Sequence, residues 1–170
     1  ATLGSLVIRN RAGTGRADIN VGVVGSTTNA VTFKVMDLRD HTVDILASTL
    51  FVGARTGNDG NSTTATFSMN QGVLDVTSVI LGDRRNTVGA STGTTSGTLN
   101  LGGGTVVIGA TGLSIAPSTS THASSQIASG TVNISGGVVT INGPVTLGNS
   151  TNVNGTSLAA FNITGGTVDV

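Results

Sequence analysis

The feature that most limits what this chain can fold into is repetition. A short strand-like run, a glycine pair or its substitute, a second run, a small break, a third run and a polar loop recur along it. The clearest copy reads Thr131-Val132-Asn133-Ile134-Ser135-Gly136-Gly137-Val138-Val139-Thr140-Ile141, then Asn142-Gly143-Pro144 and Val145-Thr146-Leu147-Gly148. Related copies begin at Thr98, at Thr66 and, in worn form, at Val35; another opens at Ala160. Self-similarity at a period of about 30 residues marks a solenoid, whose units cannot bury their apolar side alone and must stack. The expected organisation is one β-solenoid over residues 1–170. It has irregular first coils at 1–34, repeats at 35–65, 66–97, 98–130 and 131–159, and a truncated repeat at 160–170.

Within each copy, apolar residues alternate with polar ones, the period of a strand. The inward pairs expected on the first strand are Met36/Leu38, Phe67/Met69, Leu99/Leu101, Val132/Ile134 and Phe161/Ile163. On the second they are Val43/Ile45, Leu74/Val76, Val106/Ile108, Val139/Ile141 and Val168/Val170. On the third they are Leu50/Val52, Val79/Leu81, Leu113/Ile115 and Val145/Leu147, with Leu6/Ile8 as an earlier third strand. The fold class is therefore all-β: a single-stranded parallel β-helix with three strands per coil, right-handed by the crossover rule for parallel strands. Polar segments at Arg55–Ala65, Asp83–Gly97, Pro117–Gly130 and Asn149–Ala159 read as loops leaving one corner and stacking into a ridge. Asp18–Val24 and Val31–Val35 look like strands, but residues 9–34 have no assignable register.

Composition supports a solenoid rather than a globule. Aromatic residues are 2 % of the chain, with no Trp and no Tyr, so no core of large rings is available. Disorder is the alternative for a chain with 26 Gly. The regular apolar positions and a mean hydropathy of +0.27 argue against it. Charged residues are only 9 %. The segment between Arg85 and Asp169 carries none, and net charge is zero. Such a surface does not steer polyanions, so nucleic acid is a poor partner. No apolar run reaches the ~20 residues of a membrane helix. Without cysteine, no disulfide or thiolate metal site forms.

Sites for chemistry would lie on the outward columns. The first-strand column reads Asp37, Ser68, Asn100, Asn133, Asn162, a set whose amides bond along the stack. The second-strand column reads Asp44, Asp75, Val107, Thr140, Asp169. It would place Asp44 and Asp75 one coil apart, as weak candidates for a cation or for an arginine partner such as Arg39. The third-strand column, Val7, Phe51, Ile80, Ser114, Thr146, is apolar in its first half and needs cover from a loop or another molecule. Carbohydrate-active β-helix enzymes use clustered carboxylates, and Asp37, Arg39, Asp40, His41 and Asp44 are the cluster available. Polar residues substituting at a bend, where Asp is common, are the plainer account of it. His122 stands alone in a Ser-rich loop.

A phosphate-binding glycine loop is excluded, because Leu101-Gly102-Gly103-Gly104-Thr105 has no helix after it. Gly57-Asn58-Asp59-Gly60-Asn61 faintly matches a calcium loop with a single carboxylate. Ice binding would want an outward Thr array, and the mixed columns above argue against it. Sequons occur at Asn61, Asn133, Asn149, Asn154 and Asn162, of which the loop ones suit glycosylation in a secreted chain.

The phrase GTxNxxGGxVxI…VTLG, carried by Gly97–Ile108, Gly130–Leu147 and Phe161–Val170, resembles the repeats of bacterial secreted β-strand-repeat and autotransporter-passenger proteins. That resemblance implies an extracellular or cell-surface β-helix used for adhesion, biofilm or surface coating; residues 9–34 depart from it. No catalytic, cofactor or metal residue carries over, and no enzyme activity or cofactor is expected. The leading expectation is a structural segment or subunit of a surface filament, sheath or adhesin, associating head to tail through uncapped ends or continuing in a longer chain. Joined end to end, VDV-ATLG-SLVI would extend the repeat. The alternatives are a glycan-binding module using the loop ridge and a carbohydrate-active enzyme.

Overall fold

The computed structural model describes residues 4–25, 31–57, 61–85, 92–119, 125–151 and 154–170. His122 and Asn58–Gly60 of the calcium-like phrase lie outside the described residues. The strands are β1 (Gly4–Ile8), β2 (Ala17–Val24), β3 (Thr32–Asp37), β4 (His41–Arg55), β5 (Thr63–Met69) and β6 (Gly72–Arg84). They continue as β7 (Thr94–Leu101), β8 (Thr105–Ile115), β9 (Gln126–Ile141), β10 (Val145–Leu147) and β11 (Gly155–Asp169). Every strand pairing is parallel. The chain is a β-solenoid of about four turns.

Each turn lays one strand on each of three faces. Face A stacks β3, β5, β7 and the first halves of β9 and β11. Face B stacks β1, the first parts of β4, β6 and β8, and the ends of β9 and β11. Face C stacks β2, the later parts of β4, β6 and β8, then β10. Inside, Phe67, Leu99 and Val132 from face A meet Ile45, Leu74, Val106 and Val139 from face B and Leu50, Val79 and Leu113 from face C. All are at most 2 % exposed. Burying each such side chain contributes about 1.5–3 kcal/mol. At the ends this fails: Leu147, Ile163 and Val170 occupy inward positions yet are 51–74 % exposed, because each has a rung on one side only.

Several sequence expectations need correction. Leu6/Ile8 is a second-strand pair, since Leu6 faces Val43 and Ile8 faces Ile45. The earlier third strand is β2, with Ile19 opposite Leu50 and Val21 opposite Val52, which settles the register of this part of residues 9–34. Val7 therefore leaves the face C column, and Asn20 takes its place opposite Phe51. It also follows that VDV-ATLG-SLVI does not continue the winding, because both flanking strands lie on face B. The polar segments are shorter than expected, since β5, β7, β9 and β11 begin within them.

Faces A and C converge to backbone contact at one corner. A Cβ on Gly97 would lie 1.9 Å from the Val52 carbonyl oxygen, and one on Gly82 would lie 1.9 Å from that of Ser129. Only glycine admits such an approach. This pinch separates the apolar core from a second, polar compartment nearer the loops.

Candidate functional site

The charged corner between faces A and B does not bring its five residues into one set. Arg39 grips Asp37 with two bonds, Nε to Oδ1 at 2.8 Å and Nη2 to Oδ2 at 2.5 Å, and its backbone N–H adds a third at 3.2 Å. These bonds hold the Asp37 carboxyl down at about 2. Leu38–His41 is closed by a hydrogen bond from the His41 N–H to the Leu38 carbonyl at 3.1 Å, which leaves Asp40 exposed on the bend. Asp44 points out from face B into the grip of Arg9, at 2.7 Å. Among the described residues, no three His, Cys, Asp or Glu side chains gather as a metal site would require.

Asp44 and Asp75 are not opposite each other. Asp44 faces Val73, and Asp75 faces Leu46. The reason is the longer bend at Arg39-Asp40: it slides the start of β4 so that Ile45, not Val43, meets Leu74. Each carboxylate has its own arginine, and neither is Arg39. Arg9 also donates to the Asp44 carbonyl at 2.8 Å. Arg16 repeats the device one coil on, binding the Asp75 carboxylate at 2.8 Å and the carbonyls of Ala47 and Asp75. The pair of clamps ties the segment between β1 and β2 across face B.

The amide ladder is present. Asn100 donates to Ser68 at 3.1 Å, Asn133 to Asn100 at 2.9 Å, and Asn162 to Asn133 at 2.9 Å. On face C, Arg85 lies over the Phe51 ring of the apolar column at 5.3 Å while also engaging buried Asp83. Burial raises the Asp83 carboxyl above its ordinary range, against the pull of Arg85.

The polar compartment beyond the pinch escapes a reading by alternation alone. Arg55 and Arg84 are register partners in adjacent coils, and both side chains are fully buried. Arg55 donates to the Thr63 hydroxyl at 2.8 Å. Arg84 donates to the Thr95 hydroxyl at 3.2 Å, the Asn61 carbonyl at 3.3 Å and the Gln126 amide oxygen at 3.4 Å. Burial, with the neighbouring Arg55 charge, pulls the Arg84 guanidinium down to about 10. The signal was in the repeat: Val52-Gly53-Ala54-Arg55 and Leu81-Gly82-Asp83-Arg84 hold the same place in successive coils. A polar side chain recurring at one register position belongs to a stack, not to a loop.

No family model, no curated protein and no solved structure matches the chain.

Proposed function

We propose that this chain is a structural β-solenoid element of an extracellular or cell-surface filament, sheath or adhesin, whose end coils are covered by further coils. The observation that carries this reading is the state of the two ends. Among the described residues β3 pairs with β5 alone and β11 with β9 alone, so each presents a free strand edge that can template another strand. The end rungs also depart from the inner ones in chemistry. Outward positions that hold Thr or Ser in the inner coils hold Phe33 and Val35 at one end, each 70 % exposed, and Leu158 at the other, 53 % exposed. A rung stacked on either end would bury apolar area at these positions.

Face B carries one rung more than faces A and C, counting β1 at one end and the end of β11 at the other. Two copies meeting on faces A and C must displace one of those segments. The surface placement rests on the repeat resemblance. Sedimentation velocity across a concentration series, with electron microscopy of any assemblies, tests the role. Concentration-dependent elongated species are expected, and Val35→Lys with Leu158→Lys should return them to single rods. A parent chain that stays monomeric, with end-coil amides as slow to exchange as those of the middle, would overturn it.

A further inference from the structure

Face A has a property distinct from its ends. Its three inner rungs run in unbroken register: β5 on β7 from Thr63↔Thr95 to Met69↔Leu101, and β7 on β9 from Thr94↔Ile127 to Leu101↔Ile134. The register shifts between Val76 and Ser78 and between Ala17 and Ile19 lie away from this face, at the corner between faces B and C. On face A the outward residues therefore form straight columns. One is Thr66, Thr98, Thr131; the next is Thr64, Ser96, Ser129. The Ser68–Asn100–Asn133 ladder bounds them on the third side. The second column is hidden in the sequence because Thr64, Ser96 and Ser129 fall in segments that read as loops.

The resulting array repeats at about 4.8 Å along the axis and about 6.8 Å, two residues, across it. All six hydroxyl-bearing residues are half-buried. Threonine is stiff at χ1, so the rows are held in place before anything binds. We propose that this face binds crystalline water: the hydroxyl rows, each group both donor and acceptor, template an ordered water layer that joins the surface of ice. The spacings are close to those of the oxygen rows on ice surfaces. A charged side chain would orient water around itself instead, and these columns contain none.

Other occupants fit less well. A polyanion or cation finds no opposite charge. A flat polysaccharide is usually gripped by rings stacked on its sugars, and the three inner rungs present no aromatic side chain outward. A second copy laid face to face would desolvate hydroxyls without assigned partners. The inference does not depend on the filament reading, because the array lies on the side of the coil and not at its ends.

The test is thermal hysteresis and inhibition of ice recrystallisation by the full chain, with binding to microcrystalline cellulose and chitin run in parallel. The parent should show hysteresis with faceted crystals. Thr98→Tyr, at the centre of the array, and Thr131→Lys, one rung on, should each lose most of it. Thr146→Tyr, an outward position on face C, should keep it, with circular dichroism and melting temperature confirming that all three fold. The proposal is overturned if the parent leaves ice growth unchanged, if the Thr146 variant loses as much as the Thr98 variant, or if the chain binds either polysaccharide and not ice.

Discussion

A methyl group added at position 82 has nowhere to go. The Gly82 backbone sits at φ 65°, and the Cβ would overlap the Ser129 carbonyl across the pinch. Gly82→Ala should therefore cost more than about 3 kcal/mol, since neither backbone can retreat without opening the core. Gly13→Ala is the control: φ is 76°, but nothing lies within 4 Å of the added carbon. Only the backbone penalty of about 1 kcal/mol remains. Urea unfolding of both variants measures the difference. Asp37 offers a second residue-scale test. Its folded carboxyl titrates at about 2, below the ordinary 3.8, so its contact with Arg39 adds stability above that ordinary value and loses it as the pH falls toward 2. NMR titration should place the Asp37 midpoint near 2, and Arg39→Ala should return it toward 3.8. The bidentate grip is local, two residues along the chain, yet alternation of apolar and polar positions says nothing about it.

At the scale of the strand and its neighbours, stacks carry the energy. Asn133 gives one ladder bond and receives another. Asn133→Ala should cost about 1–2 kcal/mol, at about 1 kcal/mol for each net hydrogen bond, read by thermal unfolding. Arg84 is a more severe case, because its loss leaves Thr95 and Gln126 without a buried donor and opens a void. Arg84→Ala should destabilise the chain by about 3 kcal/mol or more. The ladder was legible because its residues recur on strands whose inward faces are plain. The compartment was not, because Arg, Thr and Gln in a polar stretch look like loop residues until the opposite wall is placed against them. The true partners of Asp44 and Asp75 are illegible for a related reason. Strand period locates inward and outward positions, but the length of a preceding bend decides which rung meets which.

For the whole molecule, each coil rests only on its neighbours, so protection should fall from the middle outward. Hydrogen exchange is expected to be slowest in β6, β7 and β8, and faster in β1, β3, β10 and β11, whose rungs are covered on one side. Uniform protection along the chain would contradict that picture. The period of about 30 residues, the apolar pairs and the glycine corners determined by themselves that the chain winds into stacked parallel coils, because a repeat that cannot bury its apolar side alone buries it against its neighbours. They determined most of the core as well: Phe67, Leu99, Val132, Leu74, Val106, Val139 and the face C stack are buried as the alternation requires. What the tertiary structure alone decided was everything that depends on two segments meeting. That includes the place of β1 on face B, the clamps of Arg9 and Arg16, the pinch at Gly82 and Gly97, the buried arginines and the straight hydroxyl columns of face A. Periodicity is a property of one strand, whereas register is a property of a pair. Bends of unequal length leave register undetermined until the coils are closed on one another.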